Sequence, residues 1–301
     1  MIAWQDLLAL GAATCWAAST LLSANPAKQL GALRFVRWRM FLVLVLLWPT
    51  VMWMGRWNHL DWGTATAMVL SGVVGITLGD SALFAAMNRL GPRRTGVLFA
   101  THALFSAGLG FVFLGERLGI QAYAGAILTV MGVMVAVGWG HRSQSVDAWE
   151  PQGPMRAGIG LALLAAACQA LGALIAKPAL TGDGALGPAL ALAMRVSAAW
   201  LALVILQPFP RRGGTPNAPK PLDWRVLKQT AISGWTGMGV GMGLLLWALS
   251  LGSVGAVGVL SSVSPVLVLP MLWWVYRRPP AWGAWVGAAC AVGGTALMLT
   301  R

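Results

Sequence analysis

Apolar stretches long enough to cross a ~30 Å hydrocarbon core as helices recur along nearly the whole chain, separated by short polar breaks. The pattern predicts helices at about 5–24, 31–53, 64–88, 93–114, 118–139, 156–176, 187–207, 226–250, 254–276 and 281–300. The breaks carry turn-forming pairs: Asn25-Pro26, Gly91-Pro92, Lys177-Pro178, Gly187-Pro188 and Pro279-Pro280. Two longer polar segments stand apart. One is 140–155; the other is 208–223, rich in Pro, Gly and Arg. The first apolar stretch has no basic segment before it, so it reads as a retained helix and not as a signal peptide.

The chain also repeats itself. Residues 60–132 moved forward by 162 fall on 222–294 without a gap. Leu60-Asp61-Trp62 lands on Leu222-Asp223-Trp224, and Gly96-Val97-Leu98 on Gly258-Val259-Leu260. Six glycine pairs coincide, among them Gly72 with Gly234, Gly75 with Gly237 and Gly132 with Gly294. The first repeat is taken as 1–140, the join as 141–155 and the second repeat as 156–301. Each holds five predicted spans, an odd number, so the second enters the membrane from the opposite side. The expected fold is an all-α integral membrane protein of ten transmembrane helices, built as two inverted five-helix repeats. That architecture suits alternating access around a site near the midplane.

Composition sharpens this picture. The chain is 58% hydrophobic and 10% charged, with mean hydropathy +0.73, far from the roughly one-quarter charged of soluble domains. A net charge of +13 would suggest nucleic acid, but the basic residues are spread through short loops, where they set orientation. Sixteen Lys and Arg collect on one side against four on the other. The richer side is expected in the cytoplasm of a bacterial-type inner (plasma) membrane, with both termini outside. Cys15, Cys168 and Cys290 lie in apolar spans and read as small buried residues. No metal-spaced Cys/His cluster or Walker-type Lys-Ser/Thr occurs. No cofactor, metal or nucleic-acid partner is expected, and neither ATP-driven transport nor an intramembrane enzyme is supported.

The sequence Leu114-Gly115-Glu116-Arg117-Leu118 closes the fourth span, which is headed by Pro92; the fifth carries Gly125 and Gly132. With the repeat, these features make the chain resemble the EamA family of the drug/metabolite transporter superfamily. The resemblance implies secondary transport of small organic solutes, often export of amino acids. It also implies a cavity lined by helices 1, 3, 4, 6, 8 and 9. Glu116 has no acidic counterpart in the second repeat, where Arg278 stands.

Ionisable groups inside a span usually face a cavity or a partner. Asp80 shares a face of the third span with Thr77, Ser81, Phe84 and Asn88. It reads as a cavity carboxylate and proton or cation site, or as an edge carboxylate paired with Arg93 or Arg94. His102 lies with Thr95, Phe99 and Ser106 on the fourth span and reads as a proton-coupling group or as a neutral packing residue. Arg195, mid-way along the seventh span, is a candidate anchor for a substrate carboxylate or a partner of Asp80. Arg37 and Arg39 are expected to snorkel to the cytoplasmic face. Trp16 and Trp247 are candidates to stack on substrate, and Phe99, Ser261 and Ser264 to line the cavity. Gly237, Gly241, Gly255, Gly258 and Pro265 are assigned to close packing or gating.

The expected function is export of small metabolites such as amino acids by alternating access. A proton-coupled exporter of cationic drugs and a non-transporting sensor or scaffold remain as alternatives. The expected partners are a small-molecule substrate and the lipid bilayer, with a homodimer left open.

Overall fold

Why these stretches become helices, and where each stops, is visible in a computed structural model that describes residues 3–54, 60–117, 119–138, 154–182, 185–206, 223–276 and 282–299. The described residues form helices and no strand. Seven helices are long and apolar enough to cross a membrane: α1 Trp4–Leu30, α2 Ala32–Met54, α3 Trp62–Gly91, α4 Arg94–Leu114, α6 Met155–Ala176, α7 Pro188–Leu206 and α8 Trp224–Leu251. Between and after them lie α5, Ile120–Gly138, α9 in two pieces, Val254–Ser261 and Ser264–Tyr276, and α10, Trp282–Leu299. Most of the segments 140–155 and 208–223, together with Leu118 and Arg278, lies outside the described residues.

Among the described residues the punctuation acts as turn chemistry predicts, with one exception; Pro279-Pro280 lies outside them. Asp61 caps α3, its carboxylate accepting from Gly63 N–H at 3.1 Å and Thr64 N–H at 3.3 Å. Its hydrogen bond from the Thr64 hydroxyl, with the capping N–H groups, holds the Asp61 carboxyl below the ordinary carboxylate value. Gly91 turns the chain between α3 and α4 with φ +80°, a conformation closed to most side chains. Pro188 opens α7, where its missing N–H has no intrahelical partner to lose. Asn25-Pro26, in contrast, does not end α1. Pro26 sits inside the helix, which runs on to Gly31 at φ +76°. One absent N–H removes a single hydrogen bond, and the flanking packing outweighs it.

Element boundaries recur at the sequence offset of 162. Trp62–Gly72 corresponds to Trp224–Gly234, and His102–Leu114 to Ser264–Tyr276. In both repeats the helix widens next into a π-helical segment, Val73–Leu78 in α3 and Trp235–Gly241 in α8. The repeated glycines explain themselves in the packing. α5 lies along α10, and a Cβ on Gly132 would strike the backbone of Gly287 and Ala291. Reciprocally, a Cβ on Gly294 would strike Gly125 and Thr129. The sequence pairs Gly125/Gly287 and Gly132/Gly294 thus meet crosswise in the fold, Gly132 against Gly287 and Gly294 against Gly125.

The interior is tight and rich in small residues: Ala12, Ala13 and Ala17 of α1 and Ala165, Ala166 and Ala170 of α6 are fully buried. The perimeter is apolar instead of charged. Trp53, Trp62, Ile120 and Trp282 are 81–90% exposed, which suits lipid and an interfacial aromatic belt. The chain is a multi-pass membrane protein.

Candidate functional site

Two matching helix breaks build the site. α4 breaks at Ala100-Thr101, and the Thr101 hydroxyl donates to the Leu98 carbonyl at 2.6 Å. α9 breaks at Ser262-Val263, where Ser261 and Ser262 donate to the carbonyls of Gly258 at 3.0 Å and Val259 at 2.7 Å. Each of these carbonyls also accepts a backbone N–H, from Thr101 or from Ser262, so the hydroxyls share acceptors in the last turn before each break. His102 and Ser264 therefore head equivalent half-helices. Pro265 follows Ser264 at the start of its piece, beside Gly96.

Between α4, α6, α8 and α9 lies a cavity of ≈ 10 Å³, about the room of one water. Its polar lining is His102, Ser106, Gln169 and Ser261. The apolar lining includes Leu245 and Leu249 of α8 and Val254 and Val257 of α9. His102 is 2% exposed, and its Nε2 has no hydrogen-bond partner. Gly258 forms part of the wall, and a Cβ there would meet the Ser106 side chain. Of the residues singled out from sequence, His102, Ser261 and Gly258 are brought together here. Phe99 stacks on His102 with ring centroids 5.1 Å apart. Trp16 donates from Nε1 to the Gly237 carbonyl at 2.9 Å, inside the π-helical segment of α8. A Cβ on Gly241 would lie 2.9 Å from the Trp16 ring. Trp247 is 43% exposed and packs edge-on against Trp4, away from the cavity.

Apart from the cavity lining lies a charged centre of Arg39, Asp80 and Arg195. Arg39 is 7% exposed and does not snorkel. Its Nη1 donates to Asp80 Oδ2 at 3.4 Å and its Nη2 to Ser19 Oγ at 3.3 Å, with the Phe84 ring 5.5 Å from the guanidinium. Asp80 thus pairs with a residue the sequence had placed at the membrane face, and it feels the Arg195 charge as well. Arg195 is 1% exposed. Its Nη1 contacts the Met242 sulfur at 3.9 Å, and its Nε is unpartnered.

The two arginines occupy corresponding places. Gly31 and Arg39 fall on Gly187 and Arg195 at an offset of 156, and Cys15 and Ser19 fall on Cys168 and Gly172 at an offset of 153. Arg39 packs against Gly234 and Gly237 of α8; Arg195 packs against Gly72 and Gly75 of α3. These glycines are equivalents at 162. A Cβ on Gly75 would stand 3.1 Å from both Arg195 Nη2 and the Gly172 Cα, a contact that fits only if α6 or the guanidinium gives by a few tenths of an ångström. The repeat relation with these shifted registers was the signal that would have identified Arg39 from sequence.

A clasp closes one end of the cavity. The Glu116 carboxylate accepts from Val254 N–H at 2.8 Å and Gly255 N–H at 3.0 Å, holding the N-terminus of α9. Negative charge there also complements the helix dipole. Lys177, just beyond α6, donates to the carbonyls of Leu249 at 2.6 Å and Gly252 at 2.7 Å. Burial lowers Lys177 below the ordinary lysine value, and Glu116 pulls it partly back. Among the described residues no group of three His, Cys, Asp or Glu is placed to hold a metal.

A profile of the EamA-like transporter family matches residues 3–138 and 156–300. The chain belongs to the EamA-like transporter family. That family is part of the drug/metabolite transporter superfamily, and its two matched regions coincide with the two repeats. A solved structure described only as "Crystal structure of protein" superposes with a TM-score of 0.74, covering 99% of this chain and 96% of that chain at 18% identity; this is a likeness of fold. No curated protein matches.

Proposed function

We propose that this EamA-like protein is a secondary transporter that exports small metabolites, such as amino acids, by alternating access between two inverted five-helix repeats. On this reading all ten apolar helices span the membrane, α5, α9 and α10 by tilt or with their flanking residues. The observation that carries the proposal is the cavity at the junction of two broken helices, α4 from one repeat and α9 from the other. Broken helices at membrane depth are tolerated where they line a cavity, and they supply polar groups without charged side chains. On this reading the clasp of Glu116 and Lys177 closes the cavity at the end where α1 begins.

The alternative, a proton-coupled exporter of cationic drugs, needs a carboxylate free to meet the drug. Asp80 is already held by Arg39, which favours the first reading. Reconstitution in liposomes, with counterflow of a labelled amino-acid pool under a series of pH gradients, tests the proposal. Saturable counterflow is expected; absence of movement of every solute under every gradient would remove the transport reading.

A further inference from the structure

Among the described residues each repeat buries one arginine, but only in the first does a carboxylate meet it. In the first, Arg39 has Ser19 and Asp80 as acceptors. In the second, the residues at the corresponding places are Gly172 and Met242. The Nε of both arginines is unpartnered, but where Arg39 has a carboxylate and a hydroxyl, Arg195, 1% exposed, has a thioether at 3.9 Å. Around this centre the described charges are Arg39, Asp80 and Arg195, an excess of one positive charge. One carboxylate shared between two buried guanidiniums leaves a net positive charge, which is unfavourable in a low-dielectric interior, so the arrangement calls for an anion that the described residues do not provide.

The way to that cation runs from the cavity. Met242, Leu245 and Leu249 lie on one face of α8 at spacings of three and four, and the latter two line the cavity. On α6, Gly172 touches Arg195, while Gln169 and Ala173 line the cavity. Both walls therefore continue from the cavity to the guanidinium, and Met242 stands between. Methionine is unbranched with three rotatable bonds, so it can swing aside without disturbing the backbone. Rotation of Met242 would join Arg195 to a pocket with His102, Gln169 and Ser261 on one side and Leu245, Leu249 and Val257 on the other.

We infer that Arg195 is the anchor for the carboxylate of an apolar monocarboxylate, an amino acid included, and that Met242 covers it when no substrate is bound. This deepens the transport reading and rests on it for the word substrate. The bound carboxylate takes the place that Asp80 holds beside Arg39, so the ligand completes the second repeat's half of a two-fold charge arrangement.

The test is thermal unfolding of the purified full-length protein in detergent with 4-methylpentanoate or its uncharged amide, at matched ionic strength. A rise in Tm of roughly 2–4 °C with the acid at tenfold its Kd is expected, and none with the amide. Met242→Asp gives Arg195 its own carboxylate; it should unfold at higher temperature without ligand and no longer respond to the acid. Arg195→Met, which removes the cation in a site whose neighbour is already apolar, should also lose the response. Met242→Leu should keep it. Equal responses to acid and amide, no response to the acid, or an undiminished response in Arg195→Met would each overturn the assignment. Counterflow separates this from the transport reading: flux of uncharged or cationic solutes without a carboxylate response leaves transport standing and removes the anchor. A carboxylate response without flux does the reverse.

Discussion

A guanidinium in a membrane interior needs acceptors for donors that water can no longer serve, and at Arg39 they are Asp80 and Ser19. Removing the carboxylate while leaving the cation is the damaging change. Asp80→Asn should lower unfolding stability by about 3–5 kcal/mol, the range for breaking a buried pair from one side. Arg39→Met combined with Asp80→Asn should recover most of that loss. Thermal unfolding of the four proteins of this cycle measures the coupling, and strictly additive losses would show that the pair is not energetically joined. Sequence reasoning found Asp80 and Arg195 because charge inside an apolar span stands out. Arg39 escaped because it lies near the predicted start of its helix, where snorkelling is the cheaper default, and a linear sequence does not give facing. The glycines that make room are equally position-specific. Gly237→Ala would drive a Cβ into Ser19 and Arg39, whereas Gly243→Ala would meet only Leu192 Cδ2 at 3.7 Å. We expect a loss of about 1–3 kcal/mol for the first, as for other overpacked cores, and stability unchanged or raised for the second, which gains helix propensity. Equal effects in the same unfolding assay would contradict the packing described here.

Among the elements, the breaks in α4 and α9 and the π-helical widening of α3 and α8 were the features least visible beforehand. Ten helical stretches follow from apolar length and from Gly and Pro punctuation. An interruption of two residues inside an apolar run, by contrast, changes neither hydropathy nor spacing. Ser261, Ser262 and Pro265 were the legible trace in α9; in α4 only Thr101 offers a comparable hydroxyl. Glu116 was legible through the family motif, but its partners, Val254 and Gly255, lie 138 and 139 residues away. The clasp they form has a direct consequence. Glu116→Gln removes the charge and one of two acceptor oxygens, and a charged hydrogen bond contributes about 1.5–3 kcal/mol. The N-terminus of α9 should then detach more often from α4 and α6. Val257→Cys, which faces the cavity, should react several-fold faster with a membrane-impermeant maleimide when Glu116→Gln is also present. The acceleration should appear only for reagent added on the side of the termini. An unchanged labelling rate would mean that the clasp does not control access to the cavity.

At the scale of the whole molecule, the repeat that was legible as glycine coincidences proves to be a set of contacts. Gly132 meets Gly287, Gly294 meets Gly125, and Gly72 with Gly75 and Gly234 with Gly237 each receive an arginine. The gapless register covered only part of the chain because offsets of 153 and 156 apply nearer the start of each repeat. Loops there differ in length, while the packed helices keep their correspondence. Orientation is a property of this scale alone, since it depends on the difference between two faces. The count of sixteen basic residues against four includes Arg39, which is buried and sets no orientation, and Lys177, which is held by two carbonyls. Removing one from each side leaves the bias intact, so the face that carries Arg89, Arg94, Arg156, Arg225 and Lys228 is expected in the cytoplasm. A reporter that is active only in the cytoplasm should be silent when fused after Arg301 and active when inserted between residues 146 and 147, in the join of the repeats. The opposite pattern would invert the molecule and put the clasp on the cytoplasmic face. Activity at both positions would mean an even number of crossings in the second repeat, which the proposed inverted architecture does not allow. The expected pattern places the Glu116–Lys177 closure at the external end of the cavity, so that opening it is the step that releases an exported solute.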